Sequence, residues 1–90
     1  MHHFRGTLLQ GDETRLDPAN AYIQYLTNSA DGGHGWAGYL LVAGETDVEP
    51  GGLYTLVLSD GRSGQLRVEV VSPDESGKYR ATFVGEGSLK

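Results

Sequence analysis

Cysteine is absent, so disulfides, thiolate nucleophiles and cysteine-ligated metal sites are excluded. A cysteine-free small domain fits a reducing cytoplasm, which is the expected compartment. Basic residues are scarce: seven Lys/Arg against twelve Asp/Glu leave a net charge near −5. Affinity for nucleic acid comes largely from neutralised phosphates, and anionic membrane surfaces also attract cations. Neither is an expected partner. Long apolar runs are missing. The longest, Tyr39 to Ala43, is far short of the ~20 residues that span a bilayer, and the segment from Met1 to Gly6 has no apolar signal core. HExxH and paired CxxC spacings are missing as well. Met1-His2-His3 offers an amine and an imidazole to copper or nickel, but incidental histidines at a chain start explain it better. No metal and no cofactor are expected.

What is abundant is glycine, 14 of 90 residues, beside an apolar share of 38%. Each interior glycine costs a helix about 1 kcal/mol, which disfavours a helical bundle. Short strands joined by tight turns suit the composition. Five tyrosines, two phenylalanines and one tryptophan can still build a modest core.

Period-two alternation marks half-buried strands. In the segment from His3 to Leu9, Phe4, Gly6 and Leu8 share a face. The polar stretch from Gln10 to Asn20 reads as a loop. The next segment, Ala21 to Thr27, reads as a strand through Ala21, Ile23 and Tyr25. A helix capped by Asp17 with Pro18 in its first turn is the alternative. Asn28 to Gly35 reads as a turn. In the following strand, His34 to Ala43, Trp36, Gly38, Leu40 and Val42 share one face, and Ala37, Tyr39 and Leu41 the other. Gly38 is expected to make room for an aromatic neighbour. Gly44 to Gly52 is an acidic loop ending in Pro50-Gly51, which fits a type II turn.

The clearest unit is the hairpin that pairs Tyr54, Leu56 and Leu58 with Leu66, Val68 and Val70. Facing residues of an antiparallel pair have position numbers of constant sum, and matching two even-numbered faces requires an odd-length loop. The loop is therefore the three residues Ser59-Asp60-Gly61, with Gly61 left-handed. Ser72 to Gly77 is a further turn, and Lys78 to Val84 forms the last strand, with Tyr79, Ala81 and Phe83 on one face. The expected core is Phe4, Leu8, Ile23, Trp36, Leu40, Tyr54, Leu56, Leu66, Val68, Tyr79 and Phe83.

About six short strands spanning residues 1–90 imply an all-β, single-domain antiparallel barrel, since closure removes exposed edges. This architecture resembles PilZ-type barrels, but the RxxxR ligand motif of that family is not present: Arg5 is followed four positions on by Leu9, and Arg62 by Leu66. SH3-like and OB-type barrels fit the strand count equally well, and shared architecture carries no function.

Chemistry-bearing motifs are few. Gly33-His34-Gly35-Trp36-Ala37-Gly38 matches GxGxxG, but a dinucleotide site needs a strand before it and a helix after it. Ser29, Asp31 and His34 hold the elements of a nucleophile–base set, yet turn composition accounts for them. The carboxylate pairs Asp12-Glu13 and Asp74-Glu75 fall in polar loops. An enzyme is not expected, and a small hydrolase ranks last among the readings.

The leading expectation is a stand-alone binding or adaptor module. Tyr39, Leu41 and Val57 are apolar residues on faces that otherwise meet solvent, and they are the candidate interface for another protein or for a homodimer. The alternative is a sensor of small anionic ligands. It would use Arg5, Arg67 and Arg80, a stripe if their strands adjoin, together with the loop residue Arg62.

Overall fold

Six alternating segments close on themselves. The computed structural model describes residues 1–28 and 33–90, and the side chains of all of these except residues 26–28 and 33–34. The strands are β1 (His2–Gln10), β2 (Glu13–Asn28), β3 (Gly33–Val42), β4 (Leu53–Leu58), β5 (Ser63–Pro73) and β6 (Tyr79–Glu86). They form a closed antiparallel barrel in the order β1-β2-β3-β6-β5-β4. The seam is the short ladder in which Gly6 to Leu9 of β1 face Leu58 to Thr55 of β4.

The hairpin register holds as expected. Tyr54 faces Leu66 and Leu53 faces Arg67. The Leu58 amide donates to the Arg62 carbonyl at 2.7 Å, which leaves a three-residue loop with Gly61 at φ 97°. The type II turn is also present: the Gly52 amide reaches the Glu49 carbonyl at 3.0 Å, with Gly51 at φ 83°.

Two segments differ from expectation. The stretch from Gln10 to Asn20 is not a loop, because β2 begins at Glu13 and the connection is only Gly11-Asp12. Register shifts after Gly6 and after Leu8 absorb the extra β2 residues, so a polar segment without clean alternation still pairs. β2 then runs on as strand between β1 and β3, which excludes the helix. The turn expected over Asn28 to Gly35 shrinks correspondingly, since Asn28 faces Gly33 within the β2–β3 ladder. Its centre, residues 29–32, lies outside the described residues. In β5, a register shift between Val68 and Val70 reverses the alternation. Val70 therefore leaves the buried face shared by Leu66 and Val68 and is 56% exposed, and Val71 packs against the core instead.

The expected core is otherwise buried, with Phe4 and Tyr79 half-buried. Ala19, Ala21, Val42, Leu58 and Ala81 complete the strand contribution, and Val48 joins them from the β3–β4 loop. Trp36 is buried where β3 begins. Its Nε1 donates to the Gly87 carbonyl at 3.0 Å, and its ring meets Phe83 edge-on at 5.6 Å. The indole occupies the space a Cβ on Gly85 would need, and a Cβ on Gly64 would lie 2.9 Å from Trp36 Cζ2. Gly38 makes room for backbone rather than for an aromatic ring: its missing Cβ faces the Tyr22 carbonyl across the β2–β3 ladder.

These two kinds of glycine respond differently to alanine. A Cβ on Gly61 meets nothing within 4 Å, so Gly61→Ala costs only the left-handed backbone, about 1 kcal/mol. Gly85→Ala drives a methyl into the indole, and overpacking of that kind costs roughly 1–3 kcal/mol. Urea unfolding should show both losses, and Trp36 emission should shift in Gly85→Ala alone. Wild-type stability and emission in Gly85→Ala would contradict the Trp36 packing.

Candidate functional site

Because side chains alternate along each strand, the ladders set which outward residues become neighbours. Across the barrel wall, Tyr22 of β2 faces Tyr39 of β3, Tyr39 faces Thr82 of β6, and Thr82 faces Val70 of β5. His3 of β1 extends this row beside Tyr22. A second row runs Asn20, Leu41, Arg80, Ser72, and a third Gln24, Ala37, Val84, Arg67. The middle of this face, Ala37, Tyr39, Leu41, Thr82 and Val84, is uncharged.

The middle row is ordered by stacking. The His3 and Tyr22 rings lie 4.8 Å apart at 25°, and Tyr22 and Tyr39 lie 4.8 Å apart at 17°. The Arg80 guanidinium sits 4.1 Å from the Tyr39 ring centre, a cation–π contact. It also holds Asp74 through Nη2 at 2.8 Å. The facing sides of Tyr22 and Tyr39 are covered by each other, so the row offers edges rather than an open ring face for a flat ligand. Beside it lies an open groove of about 560 Å³ whose lining includes Gln24, Ala37, Tyr39, Glu69, Arg80 and Thr82.

The candidate residues named from sequence divide between opposite sides of the barrel. Tyr39 and Leu41 belong to this face. Val57 does not, because β4 lies three positions from β3 in the closed order. It lines a different depression of about 420 Å³ with Arg5, Thr7, Asp17, Pro18 and Ser59. Nor do the arginines form a stripe, since β1 neighbours neither β5 nor β6. Arg67 is paired with Glu86 at 2.9 Å and Arg80 with Asp74. Arg62 is paired with Asp60 at 2.9 Å, bonded to the Tyr25 hydroxyl and placed 5.0 Å from the Phe4 ring centre. It braces a barrel end.

Sequence reasoning missed Tyr22, His3, Thr82, Val84 and Val70. The outward parity of the last strand pointed to Thr82 and Val84, whereas nothing signalled the shift that exposes Val70. His3 is anchored in β1, with Nε2 3.0 Å from Asn20 Oδ1. Among the described residues, no group of three or more potential metal ligands is present, nor any helix long and apolar enough to cross a membrane. The Ser29 and Asp31 positions and the His34 side chain lie outside the described residues. Comparison with known proteins finds no matching family model, no similar curated protein and no similar solved structure.

The Ser76 hydroxyl and amide, and then the Arg80 guanidinium, hold the Asp74 carboxyl down at about 2, from an ordinary value of 3.8. A depressed folded-state value stabilises the fold above the unfolded value and is lost as pH falls through the folded one. The contribution of Asp74 should therefore persist down to about pH 4 and disappear as pH falls toward about 2. In a carboxyl-detected NMR titration, Ser76→Ala should raise the Asp74 midpoint more than Arg80→Ala does. A wild-type midpoint near 3.8 would contradict the Asp74–Ser76–Arg80 geometry.

Proposed function

We propose that this protein is a small non-enzymatic binding module that takes a protein partner on the outward face of β3 and β6. The observation that carries this reading is the uncharged centre of that face, continued by the half-buried Tyr22 and the 56%-exposed Val70. Contiguous apolar surface rimmed by polar groups marks interfaces, and tyrosine and arginine are favoured anchors within them. The closed barrel leaves little free sheet edge for strand addition, so recognition falls to side chains.

Binding is preferred over catalysis because, among the described residues, the charged side chains lining the groove are Glu69 and Arg80, which form no nucleophile–base pair. The anionic-ligand reading draws less support, since Arg62 and Arg67 already hold carboxylates and Arg5, on β1, lies apart from Arg80 on β6. Cytoplasmic residence is proposed from the lack of cysteine alone.

Site-specific photo-cross-linking tests the surface directly. A photoreactive residue at Val84 should form a discrete protein adduct in cells, and one at Val57 should not. Excess unlabelled wild-type protein should compete that adduct away, whereas excess Tyr39→Glu protein should not. Equal labelling from both positions, or competition by Tyr39→Glu, would contradict this reading.

A further inference from the structure

Resting on that reading of the β3–β6 face, we propose that its occupant is a second copy of this chain. The two copies are related by a two-fold axis that runs across the strands, along the row Tyr22, Tyr39, Thr82, Val70. Charge decides in favour of a second copy. The chain carries a net charge near −5, so two copies repel through most of their surfaces, and at physiological salt this acts over about 8 Å. The groove beside the row is the exception: among the described residues, its lining brings an acidic side chain, Glu69, together with a basic one, Arg80, and the exposed Met1. A surface that carries both signs can complement itself.

The axis follows from where those charges sit. Arg80 lies one row to one side of Thr82 on β6, and Glu69 lies on the other side, next to the β5 register shift. Rotation about the middle row exchanges the two flanking rows. Arg80 of one copy then lies over Val84 of its partner and beside the partner's Glu69, and symmetry repeats the contact. Tyr39 and Thr82 meet their own images at the centre.

Arg80 is already ordered for this role. The Tyr39 ring and Asp74 hold its guanidinium. The Asp74 bond uses Nη2 alone, and a guanidinium carries five N–H donors. A partner's carboxylate therefore meets a group that has already lost most of its rotamer freedom.

Size sets the expected strength. Strands ~4.8 Å apart and outward rows ~6.7 Å apart give a face roughly 20 Å on a side. That buries on the order of 500 Å² per copy, below the ~800 Å² of a standard interface. The pair should accordingly be weak, with a Kd of roughly 10–100 μM.

Analytical ultracentrifugation of the full chain from 5 μM to 1 mM tests the proposal. Wild type should show a monomer–dimer equilibrium within that range. Tyr39→Glu, and Thr82→Arg as a second variant on the same row, should be monomeric while circular dichroism and Trp36 emission stay native. Arg80→Gln and Glu69→Gln should each weaken association about ten-fold, and the double variant should lose no more than about ten-fold, because both changes remove the same pair. A wild type that stays monomeric at 1 mM overturns self-association and leaves the face to a different protein. A dimer indifferent to Tyr39→Glu and Thr82→Arg overturns both this proposal and the face on which it rests. Losses that add fully in the double variant overturn the reciprocal pairing and with it the axis.

Discussion

The seam between β1 and β4 is the contact on which the rest of the molecule depends. Only Gly6 to Leu9 face Leu58 to Thr55 there, and the backbones come so close that a Cβ on Gly6 would lie 2.9 Å from Leu58 Cα. Without that approach the six strands form an open sheet with two edges, and edges invite pairing with other chains. With it, Leu8, Leu56 and Leu58 become interior and each strand acquires two neighbours. Closure also decides what is left for function. The interior is filled by side chains, which leaves the outer wall as the surface open to any partner.

The wall is uneven, and its unevenness comes from strand order. Placing β6 beside β3 joins the uncharged outward positions of two strands, Ala37, Tyr39 and Leu41 with Thr82 and Val84. The β5 register shift adds Val70 to the same side. Elsewhere Arg62 and Arg67 are spent on local carboxylates. Arg62 with Asp60 and Arg67 with Glu86 are solvent-accessible pairs of a kind that contributes little to stability, and neither arginine is free to meet an anion. Arg80 differs in that its pairing with Asp74 also sets it over Tyr39, at the border of the uncharged centre.

Much of this was legible in the sequence where alternation is strict. Tyr54, Leu56 and Leu58 against Leu66 and Val68 determined a register, and the register determined the loop length and the handedness of Gly61. Trp36, Leu40 and Phe83 declared themselves as core by the same pattern. Legibility ended where pairing survives without alternation. The residues from Glu13 to Asn20 are mostly polar and pair with shifted register, yet β1 holds them in the sheet. The shift after Val68 moves one valine from core to surface and leaves no mark in composition. Strand order was the larger gap. The loop from Ala43 to Gly52 carries the chain across a barrel end, pinning Val48 in the core as it passes, and nothing in its residues says that β4 emerges opposite β3. That is why Val57 and Tyr39 share an orientation but not a surface.

The account turns on one claim, that the β3–β6 wall meets a copy of itself. Amide proton–nitrogen correlation spectra recorded from 20 μM to 1 mM test it residue by residue. The account predicts progressive shifts confined to the amides of Ala37 to Leu41, Arg80 to Val84 and the neighbourhood of Glu69, with those of Gly6 to Leu9 and Thr55 to Leu58 unmoved. Shifts centred on the β1–β4 seam, or spectra unchanged across the whole range, would contradict it.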